Sequence, residues 1–240
     1  MPFTPRLRPE TPAVLTALAI LLLAVSGCDR QDRPPGVAPP AAASAPLPAT
    51  EYFEGLTEEA FTAPDSRLDA LIGLARFASD RDRQTLSPAM AAELDELLTR
   101  LDRHRAAMNR ADLAIASVEA YRLFVSASPG SGSIPTQVSL LDYAGFRFSA
   151  DLNAAPARWD DAAIALDYAD SQWNQISDRV TDTAVRNRFS GALTGMRTAL
   201  AAHDLAGAKQ AGLRELDLVD ELETWFSRPV ASSTSAQGAR

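Results

Sequence analysis

Three carboxylates sit where apolar residues set the pattern. Asp142 lies inside Leu140-Leu141-Asp142-Tyr143-Ala144-Gly145-Phe146, Asp170 falls between Leu166 and Trp173, and Glu119 is flanked by Val118 and Tyr121. A carboxylate taken out of water must be paired, hydrogen-bonded or protonated. Arg122, Arg147 and Arg158 can supply the pairing charge, and Tyr121, Tyr143 and Tyr168 can donate hydrogen bonds. Two readings follow. The commoner is a set of structural ion pairs at boundary positions. The sharper is a polar pocket built by Glu119, Asp142 and Asp170 that takes a cation or a small cationic molecule. Dicarboxylate sites in helical bundles usually add Glu-x-x-His pairs, and this chain has none.

Only two histidines are present. His104 and Met108 are four apart, and Met196 and His203 one helical repeat apart, spacings that could offer nitrogen and sulfur to copper or to a haem iron. His104 stands in Asp102-Arg103-His104-Arg105, a charged and solvated setting, and Met108 reads as a packing residue. No metal site and no cofactor is therefore assigned. There is no Cys-x-x-Cys-His, no zinc spacing, no phosphate-binding glycine loop and no Gly-x-Ser-x-Gly. No nucleophile, base and orienting group can be placed together, so the sequence reads as a non-enzyme. The aromatics Trp159, Trp173, Trp225, Phe124, Phe146 and Phe148 read as core at helical spacing. Tyr52, Phe53 and Phe61 precede the first clear helix, either stapling the preceding segment to the body or meeting a partner.

The pattern that must position these residues is helical throughout, because glycine and proline fall at a few punctuation points and no stretch alternates with period two. A first helix is expected from about Pro64 to Ser79. Ser87-Pro88 is an N-cap followed by proline at the first helical position, with a break expected near Asn109 to Asp112. Pro135 opens the next helix. Trp159, Ala162, Ala163, Leu166, Ala169, Trp173, Ile176 and Val180 form one broad stripe. A helix from about Asp182 to Ala202 follows. Asp204 caps the last, whose stripe is Leu205, Ala208, Gly212, Leu216, Val219, Leu222 and Phe226. Short connections favour antiparallel neighbours, hence an all-α, up-and-down bundle of about five or six helices. A helical solenoid would need a repeat at about 34 residues, and none is found. The expected divisions are a leader over 1–27, a Pro- and Ala-rich disordered spacer over 28–50, the bundle over 51–227 and a disordered tail over 228–240.

The remaining chemistry is that of Cys28, the only cysteine. Arg6 and Arg8 precede an uncharged stretch from Thr11 to Gly27, the arrangement of a secretory signal segment. Its apolar run, Ala13 to Val25, is short for a bilayer-spanning helix of about 20 residues. Val25-Ser26-Gly27-Cys28 resembles the lipobox of bacterial lipoprotein signal peptides, and the likeness covers the first 28 residues only. It implies cleavage between Gly27 and Cys28, a diacylglyceryl thioether on Cys28 and acylation of the new amine by a chain of the palmitate type. Two or more acyl chains anchor a protein stably. Asp29 resembles the signal for retention in the inner membrane, which makes the periplasmic face of that membrane the preferred address and the outer membrane the alternative.

The chain holds 23 basic and 31 acidic side chains, a formal net charge of −8, and loss of the leader makes it more acidic. That balance argues against nucleic acid and against a polybasic grip on anionic lipid. With one cysteine there is no internal disulfide, so stability must come from packing. Taken together, the sequence points to a membrane-anchored, non-enzymatic envelope lipoprotein that binds or assists another envelope protein. The alternative is a periplasmic binder of a small cationic ligand or metal cation through the acidic pocket.

Overall fold

The computed structural model describes residues 47–128 and 133–228. The leader, Cys28, nearly all of the expected spacer and residues 229–240 of the expected tail lie outside the described residues. Eight α-helices build the body: α1 (Pro48–Glu59), α2 (Asp65–Asp82), α3 (Pro88–Ala106), α4 (Arg110–Ala127), α5 (Thr136–Asn153), α6 (Trp159–Ile176), α7 (Thr183–Ala201) and α8 (Leu205–Ser227). The body is all-α, as its periodicity requires, but the count exceeds five or six.

The unforeseen helix is α1, and it moves the start of the body back from residue 51 to Pro48. Pro48 presets the first helical position. Ala49, Phe53 and Leu56 then recur at helical spacing, and all three are fully buried. Distant partners hold this helix in place. The Asp82 carboxylate accepts from the Ala49 N–H at 2.9 Å, the Ser117 hydroxyl donates to the Phe53 carbonyl at 2.8 Å, and the Phe53 ring stacks on Phe124 with centroids 5.9 Å apart. Phe53 is therefore a core residue, neither a staple for a spacer nor an exposed patch.

The eight helices form two rings of four. In the first, α1 packs against α2 and α4, and α3 against α4. Arg76 of α2 donates to the Leu98 carbonyl of α3 at 3.0 Å, and Arg105 of α3 to Asp69 of α2 at 2.7 Å, closing the ring through side chains. In the second, α5 packs against α6 and α8, α7 against α8, and α6 against α7. The rings join where α4 packs on α5.

The two rings are copies of one design. Each carries a 3-10 turn after its second helix, Arg83–Thr85 and Ser177–Arg179. Each opens its third helix on a polar residue whose oxygen accepts backbone N–H groups, Ser87 and Asp182. The third and fourth helices are joined through Ala107-Met108-Asn109 in one ring and Ala202-His203-Asp204 in the other. The middle residues Met108 and His203 have φ of 53° and 48°, in the left-handed region that non-glycine residues enter rarely. Asn109 then accepts from the Asp112 N–H, and Asp204 from the Gly207 N–H. Corresponding positions are about 95 residues apart, a repeat of one whole four-helix unit. The cores correspond as well: Ala49, Phe53, Leu94 and Leu98 match Ala144, Phe148, Phe189 and Leu193, and all eight are buried.

If α1 is part of the core, Phe53→Ala should cost about 3 to 5 kcal/mol in denaturant unfolding, whereas Phe77→Ala, at a side chain 71% exposed, should stay within about 0.5 kcal/mol. Equal small losses at both positions would remove α1 from the cooperative body.

Candidate functional site

The three carboxylates singled out from the sequence do not meet. Glu119 on α4 sits in an ion-pair network: Arg147 of α5 donates to it at 2.5 Å, Arg122 at 3.0 Å and the Tyr143 hydroxyl at 2.9 Å. Arg147 also holds Asp151 at 2.9 Å, and Arg122 reaches Glu93 of α3 at 3.0 Å. These contacts bind α3, α4 and α5 together, the structural reading of Glu119. Asp170 lies on the flank of the α6 stripe and pairs with Arg197 of α7. Arg158 pairs with Asp112.

The histidine–methionine pairs are likewise separated. Met108 has left α3 for the turn and is 74% exposed, so it shares no helix face with His104, whose Nδ1 is 3.9 Å from Asp112. Met196 is fully buried, while His203 stands in the second turn with its ring 4.9 Å from that of Trp159.

Asp142 is different. It is buried, and its side chain has one long contact, from the Tyr121 hydroxyl at 3.4 Å. Its charged neighbours come from helices that the sequence does not place beside it. Burial raises its carboxyl well above the ordinary range, and the charges of Glu54, Glu215, Glu223 and Asp220 raise it further. Glu54 on α1 is pushed up to about 7, first by burial and then by Glu58, Glu223, Asp220 and Glu51. Glu58 is raised by burial, Asp220 and Glu59, and Glu223 by burial and Asp220. Burial raises the Tyr121 phenol too, with Asp142, Glu54 and Glu223 adding to it.

These acids occupy the junction of the two rings. By the repeat, α8 and α1 correspond to α4 and α5, yet α4 packs closely on α5 while α8 and α1 do not pack closely on each other. Acids of α1 (Glu51, Glu54, Glu58) and of α8 (Asp220, Glu223) are near enough for their charges to raise Glu54, and Glu54, Asp220 and Glu223 also raise Asp142. A cavity of about 650 Å³ is lined by Ile134, Asp220, Glu223, Thr224, Ser227 and Arg228. Among the described residues Arg228 is the cation on its rim.

Glu215 is the most demanding member. It is fully buried, and neither carboxylate oxygen has a hydrogen-bond partner. Burial alone raises it well above the ordinary range. Its Oε2 lies against Gly145, one turn beyond Asp142 on α5, and a Cβ at that glycine would stand only 2.2 Å away. Glycine at 145 is what admits the carboxylate. In the first ring the corresponding positions are Ala120 and Thr50, uncharged and buried, so the second ring carries an ionisable group where the first has a methyl. An ionisable group set against the packing logic of its own fold makes this position a candidate functional site.

On α1 the acids Glu51, Glu54 and Glu58 follow the helix at one-turn intervals, whereas on α8 Glu215 stands two turns from Glu223. Among the described residues no three His, Cys, Asp or Glu side chains converge so as to hold one metal ion. A larger groove of about 920 Å³ between α7 and α8, with Gly191, Gly195, Thr198 and Ala211 in its walls, holds no buried ionisable group. Sequence reading singled out Asp142 but not Glu54, Glu215 or Glu223. The signal for Glu215 was present, since it falls on the stripe between Gly212 and Val219. Glu54 lies in the helix that was not foreseen. Compared with protein families, curated proteins and solved structures, the chain matches none of them.

A carboxyl whose value is raised in the folded state keeps its proton longer there than in the unfolded chain, so folding stability falls as pH rises from the ordinary value toward the raised one. For Glu54 that window runs from 4.5 to about 7, and for Asp151 from 3.8 to about 6. The body should melt higher at pH 5 than at pH 8. Glu215→Gln should raise Tm at pH 8 by about 3 °C or more, roughly 1 kcal/mol for a domain of this size, with a smaller gain at pH 5. Equal gains at both pH values would show that Glu215 does not titrate with folding.

Proposed function

We propose that this chain is a membrane-anchored lipoprotein facing the periplasm, whose helical body serves as a non-enzymatic binding or accessory module of the cell envelope. The observation that carries the reading is the placement of the sole cysteine, Cys28, at the end of an uncharged apolar run that follows Arg6 and Arg8. The Pro- and Ala-rich composition after it suits a spacer of about 3.1 Å per residue between bilayer and body. No described helix is long and apolar enough to cross a membrane. Asp29 favours the inner membrane. Leu74 and Phe77, one turn apart on α2 and 41% and 71% exposed, offer apolar contact to an envelope partner.

A second reading, binding of a small cationic ligand, draws on the acid seam. It places the ligand at the junction of the rings, beside Asp142, rather than among Glu119, Asp142 and Asp170. Junctions between compact units are a preferred place for ligand sites.

Expression of Cys28→Ala in a bacterial host should move the protein from the membrane fraction to the soluble one, and intact mass of the unaltered protein should show a chain beginning at Cys28 and carrying acyl groups. An unmodified thiol, or membrane retention of the variant, would contradict the anchor. Cross-linking in intact envelopes should recover a stoichiometric protein partner, and its absence would favour the second reading.

A further inference from the structure

The contact between α5 and α8 is tight because each helix offers the other a glycine. A Cβ at Gly145 would overlap the Glu215 carboxylate and stand 2.6 Å from Leu216 Cδ2, and a Cβ at Gly212 would stand 3.0 Å from the Phe148 ring. Into this contact α8 inserts Glu215, fully buried and, among the described residues, without a hydrogen-bond partner on either oxygen. A neutral carboxyl is tolerated there at the cost of its unmade hydrogen bonds, but an ionised one needs donors or water. The closed contact supplies neither.

The first ring builds the same contact without that group. By the repeat, Gly145, Phe148, Gly212 and Glu215 correspond to Thr50, Phe53, Ser117 and Ala120. There the Ser117 hydroxyl donates to the Phe53 carbonyl at 2.8 Å, joining α4 to α1, and Ala120 is fully buried. One ring fastens this pair of helices with a hydrogen bond, and the other sets an ionisable group between them.

We propose that the α5–α8 contact is a proton-controlled latch, closed while Glu215 is neutral and opened when its ionisation draws water between the two helices. Neither the anchor nor a bound ligand is needed for it. Opening uncovers the Phe148 and Leu216 side chains, so the latch couples pH to the apolar surface that the body shows.

Burial alone raises the Glu215 carboxyl well above the ordinary range. Across the contact Asp142 of α5 feels its charge, as it feels those of Glu54 of α1 and of Asp220 and Glu223 of α8, and the Tyr121 hydroxyl of α4 donates to Asp142 at 3.4 Å. Asp151 of α5 is paired with Arg147, and the α7 arginines Arg188 and Arg197 are paired with Glu221 and Asp170. Among the described residues no cation is set against Glu215. The value in the closed state lies above that in the open one, so the latch is fully held below the ordinary glutamate range and loosens as pH rises toward the raised value.

Hydrogen exchange of the full chain in detergent, read by mass spectrometry at pH 5 and pH 8 and corrected for the chemical exchange rate, reports opening of each helix. Each pH unit between the open and closed values should cost the closed contact about tenfold. Amides of α5 around Gly145 and of α8 around Glu215 are therefore expected to lose about tenfold or more of their protection at pH 8, and amides of α2 and α3, in the other ring, less. Glu215→Gln should restore most of that protection at pH 8. Where the amide variant folds poorly, Glu215→Met, an apolar side chain of similar length, should do the same. Equal loss of protection in α2 and α3 would mean general destabilisation and would overturn the latch. So would protection of α5 and α8 that ignores pH, or recovery in Asp142→Asn but not in the Glu215 variants.

Discussion

Ionisable groups buried without countercharge are the constraint around which this molecule is arranged. Removing a carboxylate from water is costly unless a cation, hydrogen-bond donors or a proton compensates it. Glu119 and Asp170 have arginine partners, and Asp151 has Arg147 at one oxygen while its Oδ1 is buried without a partner. At the junction of the two rings there is no such partner, since Glu215 is fully enclosed and unpartnered and Asp142 has one long contact from a phenol. The contrast lies within one fold and so distinguishes a local feature from general looseness.

The repeat explains how such a place arises. Two four-helix units share their caps, their left-handed turns and the places of their buried aromatics, and they meet along α4 and α5. The buried apolar residues of both units form one continuous core. On one side the seam between the units is filled by α4–α5 packing. On the other, α1 and α8 carry acids and do not pack closely on each other, and Gly145 and Glu215 replace the Thr50 and Ala120 of the first unit. The divergence between copies falls at the α5–α8 contact, whereas Phe53 and Phe148, which do the same packing work, are retained.

Much of the fold was legible in the sequence. Ser87-Pro88, Asp182 and Asp204 fixed helix starts because capping is a local interaction. The break expected near Asn109 falls at the Met108–Asn109 turn. Helix α1 was not legible, since its twelve residues depend on Asp82, Ser117 and Phe124, all distant in sequence. The repeat escaped a search at about 34 residues because its unit is a whole bundle and what the copies share is burial and cap geometry more than residue identity. Of the three carboxylates singled out from the sequence, Asp142 alone is buried without an arginine partner. Asp142 has no arginine at helical spacing within its own helix, whereas Glu119 has Arg122 three residues on and Arg147 across the α4–α5 contact. Which acids from α1 and α8 join Asp142 is a matter of tertiary arrangement, invisible to periodicity.

Site-resolved titration of the side-chain carboxyl carbons by NMR tests the central claim most directly. The account predicts that Glu215 and Asp142 hold their protons well above the ordinary carboxylate range, that Glu54 titrates near neutrality, and that Glu59, paired with Arg67 at the surface, titrates below the usual glutamate value. Ordinary titration of Glu215 and Asp142 would mean that water or a cation reaches them, and the uncompensated junction on which the account stands would not exist.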